Sequence, residues 1–109
     1  MSVITAHADH ATLINVFTVE PERALQLADL LTAATEDVMQ HIDGFISANI
    51  HLSTDGTRVV NYAQWRNAAA FQAMLQDATA QQHMAQCAEL ADGYEPHLYT
   101  VESVHSTEG

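Results

Sequence analysis

Apolar and polar positions change period several times along the chain, and each change marks an element. Leu13-Ile14-Asn15-Val16-Phe17-Thr18-Val19 is β-branched and aromatic, which predicts a strand. Glu20-Pro21-Glu22 then opens a helix, with proline in the first turn and acids near the positive end of the dipole. Leu27, Leu31, Ala34 and Val38 carry its apolar stripe to about His41, and Asp43-Gly44 ends it. Phe45 to Leu52 and Arg58 to Trp65 read as two further strands. The Ser53–Thr57 loop joins them as a hairpin in which Asp55-Gly56 supplies the left-handed positions. Asn67 caps a short helix whose stripe is Phe71, Met74 and Leu75. A second helical segment runs from about Thr79 to Ala91, carries Met84, Cys87 and Leu90, and ends at Asp92-Gly93. Leu98 to His105 is the last expected strand.

Strand, helix, strand, strand, helix, strand is the split βαβ order of an α+β, ferredoxin-like fold with an antiparallel sheet. Residues 1–11 read as a flexible N-terminal arm, 12–105 as the single domain and 106–109 as a tail. The helices of such a fold cover one sheet face. Here the strands are apolar on both: Leu13 and Phe17 oppose Ile14 and Val16, and Phe45 opposes Ile46, Ile50 and Leu52. A helix-free face this apolar is a large patch for a monomer, so a homodimer is expected, two sheets face to face in a dimeric α+β barrel.

Composition narrows the function. The chain has 109 residues, long enough to bury roughly two-thirds of its unfolded surface. Its 14 acidic residues stand against three arginines and no lysine, a net charge of -11, which argues against nucleic acid and anionic membranes. Without lysine there is no Schiff base and no Walker-type phosphate loop. The single cysteine, Cys87, excludes an internal disulfide and a cysteine-rich metal site. No signal peptide is evident and no apolar run approaches the ~20 residues of a membrane span, which predicts a cytoplasmic protein.

Seven histidines invite a metal, but their spacings hold no His-Glu-x-x-His and no helical i, i+4 pair, so no metal is expected. Cys87 lies on an apolar stripe and reads as a buried, inert thiol. His51 differs in kind, because it ends the second strand where a side chain can project into a pocket. The third strand is the most informative. Alternation puts Val59, Asn61, Ala63 and Trp65 on one face. A mid-strand asparagine needs partners for its amide, Trp65 offers one N–H on an apolar plate, and Ala63 leaves a gap between them. The alternatives are a pocket for a flat, oxygenated molecule or a core tryptophan with a locally satisfied asparagine. Asn15, mid-strand in the first strand, is a second oddity of this sort.

The segment His51-Leu52-Ser53-Thr54-Asp55-Gly56-Thr57-Arg58-Val59-Val60-Asn61-Tyr62-Ala63-Gln64-Trp65 resembles the corresponding part of the antibiotic biosynthesis monooxygenases. Gly44-Phe45 and Ala70-Phe71 fit as well, and the resemblance spans about residues 12 to 102. It implies a dimeric ferredoxin-like fold with the site between sheet and helices. In the branch it resembles, it implies oxidation of an anthrone-type aromatic polyketide to a quinone by molecular oxygen, with no flavin, haem or metal. The family's asparagine and tryptophan map onto Asn61 and Trp65. The branch's helix tyrosine is replaced by Phe71, and its arginine on the next helix has no counterpart among Gln81, Gln82, His83 and Gln86. The expected catalytic set is therefore Asn61, Trp65 and His51, with Asn15, Phe17, Ala63, Phe71, Leu75 and His83 contacting substrate.

Two other functions fit the same resemblance. Haem-degrading members place an asparagine where Asn15 stands and an iron-ligand histidine near His83, but Leu75 replaces their helix tryptophan and no basic residue is at hand for the propionates. A non-catalytic dimeric ligand-binding module needs only the apolar pocket.

Overall fold

The computed structural model describes residues 2–107. Met1 of the expected arm and Glu108 and Gly109 of the expected tail lie outside them. The elements are β1 (Ala11–Thr18), α1 (Pro21–Asp37), a 3-10 turn (Met39–His41), β2 (Phe45–Leu52), β3 (Arg58–Trp65), α2 (Ala68–Leu75), α3 (Ala78–Leu90) and β4 (Gly93–Tyr99). The four strands form one antiparallel sheet in the order β2-β3-β1-β4, with the helices on one face, which is the ferredoxin-like α+β fold.

Local chemistry explains the element ends. Pro21 opens α1 and Glu22 sits in its first turn. Asn67 and Asp77 accept from the Ala70 and Ala80 amides at 2.8 and 2.9 Å, satisfying free donors at the starts of α2 and α3. In the hairpin only Gly56 takes positive φ, at 76°. Asp55 does not supply a second left-handed position. Its carboxylate instead accepts from the Ser53 and Thr57 hydroxyls and the Thr57 amide, and these bonds, those of Thr57 foremost, hold its pKa down to about 2.

The last strand begins at Gly93, five residues earlier than its expected start at Leu98, and ends at Tyr99. Pro96 argues against a strand from sequence, but β4 is the sheet edge, where a missing N–H costs little.

A bulge between Phe45 and Ser47 shifts the register of β2 by one residue. The shift turns Ile50 and Leu52 onto the helix face, opposite Asn61 and Val59. This corrects the expectation that Ile50 and Leu52 share the open face. That face instead receives Ser47, Asn49 and His51 from β2, so its apolar part is narrower: Ile14, Val16 and Val60, all half-buried, beside Tyr62. Gln64 is buried there, donating to the Val3 carbonyl at 2.8 Å and accepting from Ser47 at 2.7 Å. Asn49 donates to the Ser2 hydroxyl at 2.7 Å. The N-terminal arm thus lies along the open face.

Two core clusters form beneath the helices. One gathers Leu13, Ala63, Trp65, Phe71 and Met74. The other gathers Phe17, Leu27, Leu31, Val59 and Cys87.

Candidate active site

On the helix face, β1 presents Leu13, Asn15 and Phe17 in turn, and β3 presents Val59, Asn61 and Ala63. Leu13 and Ala63 belong to one core cluster, Phe17 and Val59 to the other. Asn15 and Asn61 occupy the level between them and are directly paired in the β1–β3 register. The rung continues to Pro96 beyond Asn15 and to Ile50 beyond Asn61. Two amides side by side are thus flanked by apolar groups in every direction along the sheet.

Above this rung lies a cavity of about 630 Å³ between sheet and helices. Ala48 and Ala63, opposed in register, keep its floor shallow with two methyl groups. α1 adds Leu31, Ala34 and Thr35, α2 adds Phe71, Gln72 and Leu75, and α3 adds His83, Met84 and Cys87. Tyr94, Pro96 and Leu98 come from β4. No Asp, Glu, Lys or Arg is among the lining residues.

Trp65 forms one end wall. It is 2% exposed and Phe45 meets it edge-on, centroids 5.5 Å apart at 86°. Gly44 permits this arrangement. Its φ is +92°, and a Cβ there would lie 2.5 Å from the Ala70 Cβ, so any larger residue would push α2 away from Trp65. Arg66, immediately after Trp65, holds the same corner from outside by a two-pronged bond to Asp43 at 3.1 and 2.9 Å. That guanidinium keeps the Asp43 carboxyl below its ordinary pKa.

The polar atoms of the cavity are unusual. Among the described residues, four buried side-chain atoms have no hydrogen-bond partner: His10 Nε2, Asn15 Oδ1, Asn61 Oδ1 and His83 Nδ1. The last three belong to residues that line the cavity. An unpaired buried polar group costs about 1–3 kcal/mol, so each of the three is a point at which a water or a bound ligand would be held. Such a ligand must bring hydroxyl or N–H donors to the two carbonyls. Cys87 is no nucleophile here, because burial pushes its thiol up to about 11.

Eight of the expected site residues, Asn15, Phe17, Asn61, Ala63, Trp65, Phe71, Leu75 and His83, line this one cavity. His51 does not. It is exposed, pairs with Val60, and lies on the open face, because the β2 bulge reverses the alternation that would have aimed it inward. The walls from α1 and β4 were missed. The α1 stripe was visible but reads equally as core, and the Tyr94-Pro96-Leu98 alternation is hidden by the proline. Among the described residues no three His, Cys, Asp or Glu side chains converge as metal ligands, and no helix is long and apolar enough to cross a membrane.

A sequence model of antibiotic biosynthesis monooxygenases matches residues 11–86. The chain belongs to the antibiotic biosynthesis monooxygenase family. This monooxygenase is 49% identical over 87 residues to the tetracenomycin F1 monooxygenase of Streptomyces glaucescens, a match covering 80% of this chain and 78% of that relative. Its structure resembles the monooxygenase from ActVA-Orf6 of Streptomyces coelicolor, solved with nanaomycin D, at a TM-score of 0.80 and 27% identity over 90% of this chain and 92% of that one. SnoaB of Streptomyces nogalater, a cofactor-independent oxygenase, shares the fold at a TM-score of 0.79 and 21% identity, covering 89% of this chain and 97% of its own.

Proposed function

We propose that this monooxygenase binds a flat, hydroxylated aromatic polyketide of the anthrone type in the cavity and oxidises its methylene carbon to a quinone carbonyl with molecular oxygen, without a cofactor. One observation carries the proposal. The paired Asn15 and Asn61 line an otherwise apolar floor with unpartnered side-chain carbonyls, and Trp65 stands beyond Ala63 on the same face of β3. A polyphenol supplies hydroxyl donors along its edge and a flat apolar body between them. The cavity volume of about 630 Å³ suits a fused-ring molecule and lies within the usual range of small-molecule pockets. A relative named for tetracenomycin F1 and a structural neighbour solved with nanaomycin D support a small-molecule occupant of this size.

The chemistry asks little of the protein beyond electrostatics and proton handling. Triplet oxygen reacts slowly with closed-shell carbon because spin forbids it. An anthrone that has lost a proton forms a stabilised carbanion, which passes one electron to oxygen. The radical pair recombines to a peroxide, and loss of water gives the carbonyl. The amides of Asn61 and Asn15 can accept from the phenols through oxygen and donate through nitrogen to charge developing on the enolate. The Trp65 indole adds another neutral donor. Uncharged walls suit a substrate whose charge appears only during the reaction.

A second copy is proposed to pack on the open sheet face over Ile14, Val16, Val60 and Tyr62. The haem alternative is not favoured, because no arginine or lysine lines the cavity to meet the propionates and half-buried Leu75 holds the place of the helix tryptophan. The test is incubation of metal-free, flavin-free protein with emodinanthrone, with and without oxygen, while quinone absorbance is followed. Oxygen-dependent quinone formation supports the proposal. A stoichiometric requirement for metal, flavin or haem, the last revealed by a Soret shift on titration with haemin, overturns it.

A further inference from the structure

Converting a methylene to a carbonyl breaks two C–H bonds, so the cavity needs a group that takes protons and returns them. The floor cannot supply it, since amides and indole do not titrate in water's range. Neither β1, β2, β3, α1 nor α2 contributes a titratable side chain to the lining. β4 contributes Tyr94 and His97. Tyr94 is 58% exposed and leans on Phe17 with centroids 6.0 Å apart. His97 pairs with Ile14, whose side is the open face, and holds its ring against Tyr99 and its Nε2 3.5 Å from Glu95. On α3, the Cys87 thiol is held neutral by burial. His83, one turn before Cys87 on the same helix face, remains, with its Nδ1 buried and unpartnered.

We infer that His83 is the proton acceptor of the reaction, a role assigned because His83 lines the cavity and its Nδ1 has no hydrogen-bond partner, and resting on the oxidation proposed above. A neutral imidazole with a free Nδ1 lone pair and its proton on Nε2 is a base. Nδ1 takes the first proton as the C–H bond breaks, leaving the carbanion that reduces oxygen. It returns that proton to the distal oxygen once the C–O bond has formed, giving a hydroperoxide. It then takes the second C–H proton. That electron pair becomes the second C–O bond of the carbonyl as the O–O bond breaks, and the departing hydroxide receives the proton as water. Four electrons leave carbon, one oxygen atom stays and the other becomes water. One base used twice therefore balances the reaction. This also accounts for an aromatic-polyketide site with no charged residue: the imidazole is charged only while it holds a proton.

The test compares wild type, His83→Ala and His83→Gln on emodinanthrone, with circular dichroism for folding and emodin binding followed by quenching of Trp65 fluorescence. His83→Gln keeps a polar, near-isosteric side chain that cannot take a proton, so it carries the test if the alanine variant does not fold. The expected result has four parts. Wild-type kcat, measured between about pH 5 and 8, rises with pH, because the base works only in its neutral form. Both variants lose on the order of a hundredfold or more in kcat while emodin binding changes little. The pH limb disappears in both. Added imidazole restores turnover to His83→Ala. If wild type forms no quinone, the proposed oxidation itself fails. If wild type turns over but its rate is flat across that pH range, or the variants keep wild-type kcat, or they lose binding and turnover together, the oxidation stands and the role of His83 is overturned.

Discussion

Asn15 and Asn61 stand directly opposite each other across the β1–β3 ladder, and neither side-chain carbonyl has a hydrogen-bond partner. They interrupt two apolar rows at the same level, between the Trp65 cluster and the Leu27 cluster. A fold under selection for stability alone would fill this rung with valine or leucine. These two acceptors are the polar feature on which the proposed substrate site rests.

Replacing either asparagine by leucine is expected to separate stability from activity. Removing an unpaired buried amide raises stability by about 1 kcal/mol or leaves it unchanged. Losing an oriented donor lowers turnover by about a hundredfold. Thermal melts and quinone assays on Asn15→Leu and Asn61→Leu check both. A loss of stability of several kcal/mol would show that the amides are structurally satisfied.

Trp65→Phe keeps most of the plate against Phe45 and removes only the N–H. Its folding is expected to be near wild type, while kcat falls more than KM rises, because the donor acts on charge present only in the transition state. Equal kcat in the two proteins would assign Trp65 to packing alone.

The strand pattern carried most of the fold and much of the site. Leu13, Asn15 and Phe17 alternate without interruption, so their common face was legible, as was that of Asn61, Ala63 and Trp65. The β2 face was not, because a bulge adds one residue and reverses every later side chain; nothing in Phe45-Ile46-Ser47 announces it. That one residue moved His51 out of the cavity and set half-buried Ile50 against the helix-side core. β4 was displaced for a different reason, since Pro96 is tolerated only because the strand lies at the edge, a fact set by tertiary order. The helix walls at Leu31, Thr35 and Cys87 could not be told from ordinary core, because a cavity and a core share one periodicity.

The register predicts opposite outcomes for two similar substitutions. Val60 is half-buried on the open face, so Val60→Asp is expected to leave a folded chain and weaken self-association. Ile50, also half-buried, packs on the helix side against the Val59 cluster, so Ile50→Asp sets an unpaired charge against that core and is expected to destabilise the fold. Light scattering and circular dichroism distinguish them. A wild-type monomer at micromolar concentration would contradict the proposed pairing of sheets.

Two groups set opposite pH limits on stability. The folded pKa of Asp55 is lowered from 3.8 to about 2, so its contribution is present above 3.8 and is lost as pH falls toward 2. The folded pKa of Cys87 is raised from 9.0 to about 11, so its contribution is full below 9.0 and is lost as pH rises toward 11. Chemical denaturation against pH is expected to show both losses. Asp55→Asn should blunt the acid one and Cys87→Ala the alkaline one. In the native protein at neutral pH, iodoacetamide is expected to leave Cys87 unmodified.

The central claim is that the uncharged cavity oxidises its substrate with molecular oxygen and nothing else. The direct measurement is turnover of emodinanthrone by metal-free, flavin-free protein under labelled oxygen gas, with mass spectrometry of the product. The account predicts one labelled oxygen atom in the quinone, a second in water, and about a hundredfold slower enzymatic formation of that product in Asn61→Leu. Unlabelled quinone oxygen, or turnover only after a metal or flavin is added, would contradict it.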